Sequence, residues 1–196
     1  MTTQARPRER LLDAAGELFY RDGVSVGVDA LCKAAGVSKK SMYQLFRSKD
    51  ELIADTLANQ GPRYLRALEP GTDDEGTPRQ RILTVFQRQD GLTTGDGFLG
   101  CPFVNTAVEL KSPEHPGSVV ARHFKQQMTD FFEAELVVAG VDDPRSLAVQ
   151  LTMVFDGASA RAVVQAQPLA GVGVAMAAAL LDGAGVPTEE LRSQAS

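Results

Sequence analysis

Apolar residues recur every three or four positions along nearly the whole chain, and the every-second-residue alternation of strands is almost absent. The pattern predicts an all-α fold of about nine helices. Leu11, Ala15, Leu18 and Phe19 make the stripe of a first helix over residues 7–22. Pro7 suits its first turn and Gly23 its stop. Val28, Leu31, Cys32 and Ala35 make the stripe of a second, ended by Gly36. Ser38 can cap a third, with Met42, Leu45 and Phe46 turned inward. Ser48 and Glu51 form a capping box that opens a fourth helix, running to about Leu68. Gly61-Pro62 lies inside it and predicts a kink or break, because proline lacks the amide donor and clashes with the carbonyl of Ala58.

Residues 69–77 read as an acidic, flexible linker. Thr77-Pro78 with Gln80 is a second capping box and starts a fifth helix, to about Gly91. A Gly/Thr/Asp-rich loop follows. Further helices are expected over about 102–111, 118–139 and 144–167, and over the Ala-rich stretch 171–184, with a frayed tail from Pro187.

Charge changes the picture. The chain carries a net charge of -5, which alone argues against nucleic acid. Residues 1–50, however, hold nine Lys and Arg against six Asp and Glu, for +3, and the rest carries -8. With a Debye length of about 8 Å at physiological salt, a basic head largely escapes an acidic body a few nanometres away. No apolar run reaches the roughly 20 residues of a membrane span, so no membrane partner is expected. No signal peptide opens the chain, and two cysteines, Cys32 and Cys101, do not make a disulfide framework. The expected setting is a reducing cytoplasm.

The candidate chemistry lies in the basic head. A short helix that stops at Gly36 and a second that begins at Ser38 have the layout of a helix-turn-helix, whose second helix enters the DNA major groove. With Met42, Leu45 and Phe46 buried, Lys39, Lys40, Ser41, Tyr43 and Gln44 stay outside. Lysines and the Tyr43 hydroxyl suit phosphate oxygens, and Gln44 and Lys40 can reach base edges. Lys49 is poorly placed for the dipole of the fourth helix and better placed beside a phosphate. Ser38, Lys39, Lys40, Ser41, Tyr43, Gln44 and Lys49 are the candidate DNA-binding residues.

Arg8 to Leu52 resembles the N-terminal domain of the tetracycline-repressor (TetR) family of bacterial regulators. The likeness rests on Leu11 to Phe19, Gly23, Ala34-Ala35-Gly36-Val37-Ser38, Met42-Tyr43-Gln44-Leu45-Phe46 and Ser48-Lys49-Asp50-Glu51-Leu52. Two departures stand out. Val26 and Gly27 occupy positions where the family usually has Thr or Ser to cap the second helix and touch a phosphate, so Ser25 or backbone amides must substitute. Lys40 stands where the family often has Gly, and adds charge and reach toward a particular operator.

The resemblance implies residues 1–50 as a DNA-binding domain and 51–196 as a variable ligand-binding and dimerisation domain. It also implies a homodimer on double-stranded operator DNA, released as a repressor by a small-molecule effector. Gly61-Pro62 is a candidate flex point in that release. Gly100 to Glu109 is similar to a Gly-Cys-x-Phe-x-Asn stretch of one subset of such regulators. The residues themselves offer Phe86, Phe103, Phe124, Met128, Phe131 and Phe155 to line an apolar pocket, with Asn105, Gln127 and Asp156 to orient a ligand. These aromatics equally suit a helical core. Gly157 to Ala162 and Ala170 to Ala179 allow the close helix approach of a dimer interface, or packing inside one subunit.

Other signals carry less. Gly95 to Gly100 has the spacing of a dinucleotide loop but follows a helix, with no βαβ unit around it. His115 and His123 lack further ligands at metal spacing, so no metal and no cofactor is expected. No base–nucleophile constellation suggests an enzyme. Cys101 at a helix start makes redox-sensing, or else ligand-independent DNA binding, the alternative to ligand-operated regulation.

Overall fold

The computed structural model describes residues 6–71, 74–95 and 97–188. Thr72 and Asp73 of the acidic linker, Asp96 of the Gly-rich loop and the tail beyond Thr188 lie outside the described residues. Among those described there are helices and no strands, in the order α1 (Pro7–Asp22), α2 (Val28–Ala35), α3 (Lys39–Leu45), α4 (Lys49–Leu68), α5 (Pro78–Thr93), α6 (Pro102–Leu110), α7 (Pro116–Val138), α8 (Pro144–Gln165) and α9 (Val172–Gly183).

The ends of these helices follow from local chemistry. Gly36 takes the left-handed conformation at φ 62° that closes α2, and its amide donates back to the last turn. Ser38 Oγ accepts the Ser41 amide at 3.0 Å to cap α3. At α5 the capping box closes in both directions. The Gln80 amide donates to Thr77 Oγ1 at 3.3 Å, and the Thr77 amide to Gln80 Oε1 at 2.7 Å. α2 has no side-chain cap at Gly27, as its composition implied.

α4 has no break at Gly61-Pro62. It runs unbroken from Lys49 to Leu68 with Pro62 inside. Gly61 is there for space: the Phe124 ring lies where a Cβ at 61 would stand.

Packing divides the chain into two compact units. The first comprises residues 1–63 and 101–124, the second 64–100 and 125–196. In the first, Leu11, Leu12, Ala15, Leu31, Met42 and Phe46 form the core of the three-helix head. Leu45 is 38 % exposed rather than inward. Two residues, Met42 and Phe46, suffice to seat the seven-residue α3.

In the second unit α5, α7, α8 and α9 supply a core around Phe86, Phe132 and Phe155. The Phe86 and Phe132 rings stack at 5.8 Å, and Phe155 meets Phe86 edge-on at 6.3 Å. Gln89, 1 % exposed, donates to the Phe155 carbonyl at 2.7 Å and Ser159 Oγ at 2.8 Å, tying α5 to α8. Asp90 Oδ1 and Thr93 Oγ1 accept the Gly171 and Leu169 amides, fixing the turn into α9. α8, with 22 residues, is long and apolar enough to cross a bilayer, contrary to the reading of the bare sequence. Its Leu147, Ala148, Leu151 and Phe155 are core residues of this unit, the pattern of a buried helix in a globular protein.

Candidate nucleic-acid interface

The exposed face of α3 is built on a rigid seat. Met42 and Phe46 are buried to within 1 %. Arg8 stacks its guanidinium 5.1 Å over the Phe46 ring and pairs with Asp55 of α4. Arg10 Nε donates to the Ala35 carbonyl at 3.1 Å, holding α1 to the C-terminus of α2. Side chains on the far side of α3 are therefore presented from a fixed frame.

Lys40, Tyr43 and Gln44 are exposed there, Tyr43 to 52 %. Ser38 and Ser41 share their hydroxyls at 2.9 Å at the helix start. Lys39 is engaged: its Nζ lies 2.8 Å from Asp29 Oδ1 in the first turn of α2. The Asp29 hydrogen bond raises the Lys39 pKa, so the ammonium stays charged. Lys49 opens α4, half-buried. Burial lowers its pKa, against the opposing pull of Glu109 and Asp50.

Two residues that sequence reasoning missed steady this head. Asp29 neutralises Lys39. Glu109 of α6 accepts the Val24 amide at 2.8 Å and the Ser25 amide at 2.9 Å, gripping the turn between α1 and α2. This carboxylate takes up backbone donors beside a helix that has no side-chain cap. Gly23 makes the approach possible: at φ 86°, a Cβ there would sit 2.7 Å from Glu109 Oε2. The α6–α7 turn adds His115 Nε2, 3.2 Å from Asp50 Oδ1 at the start of α4.

The residues predicted to line a ligand pocket fall in both units. Phe103 and Phe124 stack at 4.9 Å in the first, where exposed Asn105 lines a cavity. In the second, Phe86, Met128 and Phe155 are core residues, Phe131 packs beside them, and Gln127 is exposed. Asp156 Oδ1 lies 2.6 Å from Lys125 Nζ, which also sits 4.9 Å over the Phe155 ring. Sequence reasoning missed Phe132 and Lys125. The spacing of Ala121, Phe124, Met128, Phe132 and Leu136 along α7 was the available signal for Phe132. Among the described residues, no group of three or more His, Cys, Asp and Glu is placed to hold a metal ion.

A short polar helix that shares one core with the two helices before it, and follows the second across a tight turn at Gly36, has the layout of a helix-turn-helix DNA-binding protein. Residues 11–56 match the family described as bacterial regulatory proteins, tetR family. The structure superposes with a TM-score of 0.90 on the crystal structure of a TetR transcriptional regulator of Streptomyces avermitilis, 49 % identical, covering 93 % of this chain and 100 % of that one. The HTH-type regulator YjdC of Escherichia coli is 28 % identical over 80 % of this chain and 83 % of its own length. An HTH-type transcriptional regulator of Mycobacterium tuberculosis is 34 % identical over 71 % of this chain and 66 % of its own. The chain belongs to the TetR family of transcriptional regulators, which are DNA-binding proteins rather than enzymes.

Proposed function

We propose that this regulator is a cytoplasmic, homodimeric repressor released from operator DNA by a small-molecule effector. Residues 1–50 bind DNA, and 51–196 bind the effector and dimerise. The observation that carries the DNA reading is the rigid seat of Met42 and Phe46 under an outward row of polar side chains. Ser38, Lys39, Ser41, Tyr43 and Lys49 contact phosphates, and Lys40 and Gln44 read bases. Phe86, Gln127, Met128, Phe131, Phe155 and Asp156 of the second unit are proposed as the effector's surroundings, and Phe103, Asn105 and Phe124 of the first as a separate candidate set. The effector lowers DNA affinity by as much as it prefers the non-binding conformation. Burial of the Cys101 thiol to 2 % exposure favours this reading over a redox switch, which needs an accessible thiolate.

The test is an anisotropy titration against DNA flanking the protein's own gene, comparing wild type with Tyr43→Ala and Lys49→Ala. Tight, salt-sensitive binding of the wild type that weakens in both variants supports the reading. A sequence-indifferent wild type, with variants that bind alike, overturns it. The titration then serves as the screen for an effector.

A further inference from the structure

A cavity of about 150 Å³ opens within the first unit, between α1, α4 and α6. Its floor is apolar, made by buried Ile53 and Leu57 of α4, and Phe19 of α1 forms a wall. Its rim is polar: Gln60, Asn105 and Glu109. That volume matches cavities that take up a benzene-sized guest. Glu109 is the one charged side chain in the lining, and a cation that acts on it, Lys49 at the start of α4, lies outside that lining. Each of its oxygens accepts one backbone amide, from Val24 or Ser25, and a carboxylate has about four acceptor positions. It therefore has acceptor positions left for a guest's donors.

We propose that this cavity is a binding site for a small organic cation, an amine or amidine on a compact aromatic body. The ring fits over Ile53 and Leu57 beside Phe19, and the cationic head meets Glu109. Anions are excluded by the same carboxylate. Apart from Asn105, the site shares no residue with those proposed for the effector, and it lies within the first unit, which also holds the three-helix head. Because Glu109 also grips the turn into α2, a cation on it weakens its hold on the Val24 and Ser25 amides. Those two amides report occupancy at the head.

The test titrates the full-length, nitrogen-15-labelled protein with benzylammonium, benzyl alcohol and benzoate at constant ionic strength. The amide signals of Gly16, Gly23, Val24 and Ser25 are followed. Expected are saturable shifts with benzylammonium at millimolar or lower concentration, about tenfold weaker binding of the neutral alcohol and weaker still of benzoate. Thr106→Met, which fills the cavity from α6, is expected to weaken benzylammonium about tenfold while the spectrum stays folded. Equal response to the two ions, or saturable shifts confined to other parts of the chain, or none, overturns the proposal. Should Thr106→Met unfold, charge preference and location in the wild type decide the question alone.

Discussion

Glu69 is a residue at which pH acts on the stability of this protein. It stands just past the last residue of α4, and Glu69 Oε1 is buried with no hydrogen-bond partner among the described residues. Burial pushes its pKa from 4.5 up to about 7. Between those two values the folded chain holds a proton that the unfolded chain has released. Stability therefore falls as pH rises from about 4.5 to about 7 and is level above that. Glu69→Gln keeps the shape and removes the ionisation. The side chain is partly solvated, so only a fraction of the full linkage energy applies. The variant is expected to be more stable than wild type by about 1–2 kcal/mol at pH 8, with a flatter melting-temperature profile across the weakly acidic range. Parallel profiles for the two proteins would place the buried proton elsewhere.

At the scale of helices, the pairing of α2 with α3 sets how much charge the recognition face presents. Lys39 is held by Asp29, whose side chain is 83 % exposed and projects from the same corner. A carboxylate there opposes phosphate and shares the lysine that phosphate would use. Asp29→Asn is expected to tighten operator binding several-fold and to steepen its salt dependence by about one counterion, read from the slope of log affinity against log salt. An unchanged slope would mean that Lys39 meets no phosphate.

The helices themselves were legible, because their stops and caps are local: Gly23, Gly36, Ser38 and the Thr77–Gln80 box act within a turn. What escaped was long-range. Glu109 grips amides about 85 residues back along the chain, and nothing near it in sequence marks that role. Gly61-Pro62 misled for the same reason. Proline's local preference argues for a break, whereas the glycine answers to the Phe124 ring of a distant helix. Sequence spacing also cannot tell a pocket aromatic from a core one, and Phe86, Met128 and Phe155 are core in this structure.

For the molecule as a whole, the question is what covers α8 and α9. Small residues along α8 divide by face. Ser159 and Ala162 turn into the subunit's own core, Ser159 bonded to Gln89. Val149, Met153, Gly157, Ala160 and Val164 look outward at three- and four-residue spacing, with Met153 67 % and Val164 77 % exposed. Val172 and Met176 of α9 are exposed as well, and Met153, Val154, Gly157, Val172 and Met176 flank a shallow apolar depression. Such a stripe is costly in water and is the kind of surface that a two-fold interface buries against its own copy. Single charges at Met153 and Val164 should therefore act on assembly rather than on folding. Met153→Asp with Val164→Arg is expected to keep the helical signal and melting transition of the wild type while halving the mass measured by light scattering. Operator affinity falls with it, because a lone head gives up the second half-site. A double variant that stays dimeric would move the interface off these helices, and a monomeric wild type would overturn the proposed homodimer.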